Sequence, residues 1–251
     1  MPQRLGGSGR VMGLLRSSAV FQRLKQDQDP IAWHLYWRAR GVENYMRRGH
    51  VVRSKAIAQY LADEDSPRLN LGCGFNPISG WLNCDLISGD VYVDLNRPLP
   101  FAPGSFEYVF SEHLIEHFRE KESLRLLFEM RRVLRTGGVV RMATPDLSDL
   151  VEIYLDQSPT TSLEEYARYM DTLRPGPHER PAQVLNGTLR SWGHAYVYDE
   201  ADLTTKLQEA GFGAIVRVQP GVSEHPQLKD IEQRTSYENT AGVMILEATA
   251  V

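Results

Sequence analysis

A chain of 251 residues with 42% hydrophobic and 24% charged residues can bury a core of ordinary size, as one large α/β domain or one domain with an appendage. Its formal net charge of −4 supplies no general attraction to nucleic acid. Two cysteines, Cys73 and Cys84, read as buried thiols at strand ends rather than a disulfide framework, and no apolar run approaches the roughly 20 residues of a membrane span.

The charge is uneven at the start. Arg4, Arg10, Arg16, Arg23 and Lys25 precede the first acid, Asp27, with Val11, Leu14, Leu15, Val20, Phe21 and Leu24 between them. Such a segment reads as a loosely docked basic arm, a helix lying on a membrane surface, or an organelle-targeting stretch. The expected location is therefore cytoplasmic, or membrane-peripheral through residues 1–25. A helix is predicted from Ile31 to Met46, started by Asp29-Pro30, and a second from His50 to about Leu61 with Val51, Ala56, Ile57 and Leu61 inward. Residues 1–62 form this arm and helical extension, and 63–251 the main domain.

Leu69 and Leu71 then alternate with polar neighbours and run into Gly72-Cys73-Gly74. This predicts a short buried strand feeding a glycine loop, where a ligand can lie against bare main chain. Trp81–Asp85 and Asp90–Asp94 read as second and third strands, each ending in an acid. The links between these strands are shorter than the dozen residues a parallel crossover usually needs. Either the crossover helices are reduced to turns or one pairing is not parallel. A fourth strand is predicted at Glu107–Ser111, and a helix at Glu120–Leu134 with Leu124, Leu127, Phe128, Arg131 and Leu134 on one face. A fifth strand follows at Val139–Thr144. Helices are predicted from Leu147 to Leu155, from Leu163 to Leu173 and from Asp199 to Ala210, with Arg174–Pro181 as a loop between the second and third. Ala214–Val218 and Val243–Ala248 are the last strands, separated by a polar loop, Gly221–Gly242. Strands alternating with helices argue a doubly wound α/β sheet.

Taken in order, Leu69-Asn70-Leu71-Gly72-Cys73-Gly74, Asp85, Asp94, Leu99-Pro100-Phe101, Ser105-Phe106-Glu107, His113–His117 and Arg132–Gly138 resemble a class I S-adenosylmethionine-dependent methyltransferase, of the small type 11 branch. The resemblance covers about residues 68–145, with a weaker echo from His194 to Phe212. The sequence departs from that pattern in its short early crossovers, in Glu107 where Asp is usual, and in Thr136 where Pro is frequent. The resemblance implies a Rossmann-like methyltransferase sheet and S-adenosylmethionine as cofactor. A nicotinamide-binding unit fits less well, because Gly74 is followed by Phe75-Asn76-Pro77 with no third glycine in place.

Within that resemblance the cofactor residues are Asn70, Gly72, Cys73, Gly74, Asn76, Asp85, Asp94, Leu95, Ser111 and Glu112. Asp85 is suited to the ribose hydroxyls, and Asp94 with Leu95 to the adenine; each acid can equally cap a turn. His113, Glu116, His117 and the distant His194 are the catalytic candidates. The segment Ser111–His117 can supply a general base for a hydroxyl acceptor. Wound as a helix, it would place His113 and His117 one turn apart beside Glu116. With His194 that set could ligate a divalent ion such as magnesium, as in related small-RNA 2′-O-methyltransferases, or simply line the pocket. Tyr154, His178, Arg180, Arg190, Trp192 and Tyr196, with Asn186 nearby, offer aromatic faces and hydrogen-bonding groups to an acceptor. That mix suits a saccharide or other small polar molecule, O-methylated, better than a long apolar one, and the net acidity with no basic stripe outside the N-terminus argues against nucleic acid. N-methylation, or a methyltransferase-like scaffold without catalysis, are the alternatives.

Overall fold

The computed structural model describes residues 50–173, 180–234 and 241–251, together with Gly41 and Tyr45. The basic arm, most of the helix expected at 31–46, and His178 lie outside the described residues. Seven strands form one sheet in the order β3-β2-β1-β4-β5-β7-β6. They are β1 (Arg68–Leu71), β2 (Leu82–Asp85), β3 (Val91–Tyr92), β4 (Phe106–Glu112), β5 (Leu134–Pro145), β6 (Phe212–Arg217) and β7 (Val243–Ala250). β1 to β5 run parallel, and β7 is antiparallel to both β5 and β6. Strand order reverses beside β1, between β2 and β4. Ligands of open α/β sheets bind at such a reversal, outside the carboxyl ends of the strands.

The short crossovers are real, and both early pairings are parallel. Residues 72–81 and 86–90 make these connections without a helix, so their backbone polar groups need other partners. Asn83 supplies them. Its side-chain nitrogen donates to the Ile78 and Trp81 carbonyls at 3.0 and 2.9 Å, and its oxygen accepts from the Ile78 N–H at 2.7 Å. Asp90 in turn accepts from both the Asn83 side chain and main chain at 2.9 Å. On the sheet's flank lies α1 (His50–Asp63), which sets Ile57 into the main core with Leu82 and Val91. Tyr45 meets Tyr92 edge-on at 5.4 Å.

The helix after β4 is α2 (Glu120–Val133), whose inner face is Ser123, Leu126, Leu127, Met130 and Val133. This corrects the sequence expectation: Phe128 is 49% exposed, and only Leu127 belongs to both faces. Two apolar stripes of equal helical spacing overlap in this helix, and packing against the sheet selects the one through Leu126, Met130 and Val133. Each of its fully buried Leu, Met and Val side chains contributes about 1.5–3 kcal/mol.

Between β5 and the last helix an excursion of three helices packs as a unit with its own core. These are α3 (Leu147–Tyr154), α4 (Leu163–Leu173) and α5 (Pro181–Arg190). Leu150, Ile153, Tyr166, Met170 and Val184 meet there. Sequence reading missed α5 by placing Pro181 inside a loop; Pro181 instead opens the helix at its first position, where a missing N–H costs nothing. The last helix, α6 (Glu200–Glu209), is capped by the Asp199 side chain, which accepts from the Asp202 N–H at 2.8 Å.

Candidate functional site

Two groups of side chains meet at the carboxyl edge of β1, β4 and β5. The first surrounds the glycine loop. Gly72 and Gly74 have φ of +67° and +52°, and their side of the loop is crowded. A Cβ at Gly72 would stand 2.6 Å from Leu114 Cδ1, and one at Gly74 2.7 Å from Arg234 Nη2. The loop is braced from beneath, with Gly72 and Cys73 N–H both donating to the Cys84 carbonyl at 2.9 and 3.2 Å. Asp85 accepts from Gly74 N–H at 3.0 Å and, through its other oxygen, from Ile87 N–H at 2.9 Å. Burial pushes the Asp85 carboxyl up, against those two N–H groups that favour its charge. Ser88 Oγ donates to the Gly74 carbonyl.

This geometry sorts the expected cofactor residues. Gly72, Cys73 and Asn76 line a cleft with Phe110 and Glu112. Asn70 also borders it, but its amide donates to Asn83 Oδ1 at 2.9 Å and ties the cleft floor to the crossover network. Asp85 holds the loop's shape with both oxygens. Ser111 is buried in β4, in register with Leu71. Asp94 accepts from Asn96 N–H at 3.0 Å and pairs with Arg97 at 3.3 Å, while Leu95 is folded into the core. The Cys73 thiol is pushed up to about 12 by burial and by the Asp85 charge, so it stays a neutral wall.

One residue of this wall has no motif to announce it. Arg234, from the long loop between β6 and β7, lies across the glycine loop. Gln233 and Arg234 N–H donate to the two carboxylate oxygens of Glu112 at 3.0 and 2.8 Å.

The second group begins directly after Glu112. The segment does not wind as the helix considered from sequence. His113 takes φ +51°, and a single 3-10 turn, Ile115–His117, follows. Glu116 rather than a histidine is therefore the centre. Its side chain is fully buried, and it accepts from His113 Nδ1 at 3.2 Å and Thr144 Oγ1 at 3.2 Å. Burial alone would push Glu116 up, but the His113 hydrogen bond and the neighbouring imidazoles hold it down to about 2.

His194 reaches this point because the main-chain N–H groups of Ala195 and Tyr196 donate to the Glu116 carbonyl at 2.8 and 3.2 Å. Its Nδ1 lies 2.7 Å from the Thr188 carbonyl and donates to it, which leaves a lone pair on Nε2. That Nε2 stands 3.9 Å from Glu116 Oε1. Burial holds His194 down to about 4, so at neutral pH a neutral imidazole faces an ionised carboxylate. The His117 ring packs edge-on to His194 at 5.1 Å, and the Trp192 ring lies 5.6 Å away on another side. His117 is exposed, and Trp192 is 37% exposed at φ +55°.

Glu116, His117 and His194 each offer a ligand atom within 4.8 Å of the others, the one such group suited to a metal ion among the described residues. His113 is tied to Glu116 and orients it. Of the acceptor candidates, Trp192 borders this cluster. Tyr154 is exposed on α3, and Arg180 and Arg190 are exposed at the two ends of α5. Tyr196 is half-buried and tied to α6. Its hydroxyl donates to Asp202 at 2.8 Å, and that bond pushes it up to about 12.

Residues 81–142 match the family model described as a methyltransferase domain. No curated protein matches the chain. Among solved structures, the chain is similar to an S-adenosylmethionine-dependent methyltransferase of Thermotoga maritima, described as a possible histamine N-methyltransferase. Identity is 16%, coverage 87% of this chain and 99% of that one, and the TM-score 0.46. A Mesorhizobium loti S-adenosylmethionine-dependent methyltransferase is 18% identical over 78% of this chain and 96% of the other, with a TM-score of 0.43. Phosphoethanolamine N-methyltransferase 2 of Haemonchus contortus, solved with S-adenosyl-L-methionine, is 16% identical over 77% of this chain and 51% of that one, with a TM-score of 0.42. Among the described residues no helix is long and apolar enough to cross a membrane.

Proposed function

We propose that this chain, a class I S-adenosylmethionine-dependent methyltransferase, methylates a hydroxyl of a saccharide or another small polar acceptor, with His117 as the base. The supporting observation is the row Trp192, His194, His117: an exposed aromatic face beside an exposed imidazole, directly after the strand whose end borders the glycine loop. A ring such as Trp192 can carry the apolar face of a sugar. S-adenosylmethionine supplies an electrophilic methyl group, whose carbon bonds the acceptor oxygen as the carbon–sulfur bond breaks and its electron pair goes to sulfur. His117 accepts the hydroxyl proton at a ring nitrogen. Glu116, ionised and fully buried, places a carboxylate oxygen within 4.8 Å of a nitrogen of that ring. The glycine loop fits the cofactor's amino acid end, since bare main chain at positive φ leaves it unobstructed by side chains of its own.

A second reading adds a divalent ion at Glu116, His117 and His194. It is favoured by the lone pair and the carboxylate that face each other at 3.9 Å with no proton between them. Metal-binding histidines commonly fix the other ring nitrogen on a carbonyl, as His194 does. Two imidazoles and one carboxylate suit zinc or iron better than magnesium. An ion there would act as a Lewis acid on the acceptor oxygen.

The test is methyl transfer from labelled S-adenosylmethionine to a panel of saccharides and of amines, each with and without chelator. Transfer to saccharides is expected. Transfer confined to amines would overturn the O-methylation reading, and loss of transfer in chelator, restored by zinc or iron, would favour the second.

A further inference from the structure

We propose that Arg234 seats the α-carboxylate of S-adenosylmethionine, so that the cleft is closed at its amino acid end by a loop from the far edge of the sheet. The inference rests on the reading of the glycine-loop cleft as the cofactor site.

The loop is built into the fold at this point rather than lying against it. Arg141, fully buried in β5, binds Glu232 Oε1 at 2.5 Å, and the other Glu232 oxygen accepts from Gly221 N–H at 2.9 Å. Ile231 is buried in a cluster with Trp81 and Phe110. Beyond Glu232, the main chain at 233 and 234 is tied to Glu112 at the end of β4. Three consecutive residues are thus pinned from two strands, which fixes where the Arg234 side chain starts.

Its guanidinium then lies along the glycine loop. Nη1 donates to the Glu112 carbonyl at 3.2 Å and Nη2 to the Cys73 carbonyl at 3.4 Å. Nε donates to the Asn76 amide oxygen at 2.9 Å once that amide is turned to satisfy both its atoms. These partners are all neutral oxygens, and the two carbonyl bonds are long for a charged donor. The Glu112 carboxylate is occupied by main-chain N–H groups. A cation therefore stands beside the glycine loop with neutral oxygens as its hydrogen-bond partners, and the nearby Asp85 carboxylate, whose charge it favours, is itself held by the N–H groups of Gly74 and Ile87. The amino acid end of the cofactor brings a carboxylate, which a planar guanidinium accepts in two-point fashion. It also brings an ammonium, and the Cys73 and Glu112 carbonyls that the guanidinium would release are acceptors for it.

The experiment is calorimetric titration of the full chain with S-adenosylmethionine and with its decarboxylated analogue, for the wild type, Arg234→Gln and Arg234→Lys. Arg234→Gln should weaken S-adenosylmethionine binding about 10- to 100-fold and leave the decarboxylated analogue unchanged. Arg234→Lys should lose less, because it keeps the charge and loses the fork, and it carries the comparison if Arg234→Gln does not fold. Equal losses for both ligands would overturn the proposal. So would unchanged or tighter binding of S-adenosylmethionine by Arg234→Gln, which would make the side chain a plug. A wild type that binds neither ligand would overturn the cofactor reading and this proposal together; a binding wild type with indifferent variants overturns only the latter.

Discussion

Arg141→Ala should destabilise the fold by about 3–5 kcal/mol, measured as the shift of the urea unfolding midpoint at constant slope. Arg141 is completely buried in β5, between β4 and β7. It binds Glu232 and Glu247, each at 2.5 Å, and donates to the Val222 carbonyl at 2.8 Å. Alanine would strand two carboxylates away from water and orphan that carbonyl. Such a loss is a large share of the 5–15 kcal/mol that holds a typical domain. Replacing all three charged residues together with apolar ones of similar volume should recover most of it, because the penalty comes from unpaired charge rather than a lost attraction. A loss below about 1 kcal/mol in Arg141→Ala would contradict the account. The triad also anchors Glu232, two residues before Arg234, so one buried cluster ties β5 and β7 to the wall of the glycine-loop cleft.

His117→Ala should lower kcat about 10²- to 10⁴-fold while leaving S-adenosylmethionine affinity where it was, the range expected when a positioned base is removed. His117 is exposed, and its ring contact is with His194, so the fold gives up little when it goes. Single-turnover transfer and calorimetry on the same preparation separate the two quantities. Equal losses in rate and cofactor affinity would assign His117 a structural role. An unchanged rate would remove the base from the mechanism.

Much of the sheet could be read from sequence because its signals are local. Leu69 and Leu71 alternate, Gly72 and Gly74 break the strand, and the acid at Asp85 closes β2. The register of α2 could not be read the same way, since two apolar stripes of equal spacing run along it and only packing chooses between them. Pro181 misled for a related reason: at the first position of a helix it is a start signal, and within a Pro-rich run it looks like a breaker. The capping interaction of Gln183 with Arg180 N–H, 3.1 Å, was the available sign of α5.

The site was legible in its parts and not in its assembly. The acid–His segment stood out by composition, but its centre is Glu116, a fact set by the kink at His113 and by the segment that carries His194. The Asn83–Asp90 network and Arg234 have no sequence pattern at all. Their roles come from a short crossover that lacks a helix and from a loop whose anchor, Arg141, lies far from it in the chain.

The most direct test of the central claim is isothermal titration of the purified chain with S-adenosylmethionine and S-adenosylhomocysteine. The account predicts saturable one-to-one binding of both, reduced by Gly74→Val, which would drive a side chain into Arg234. Absence of binding by either ligand in a folded protein would contradict it.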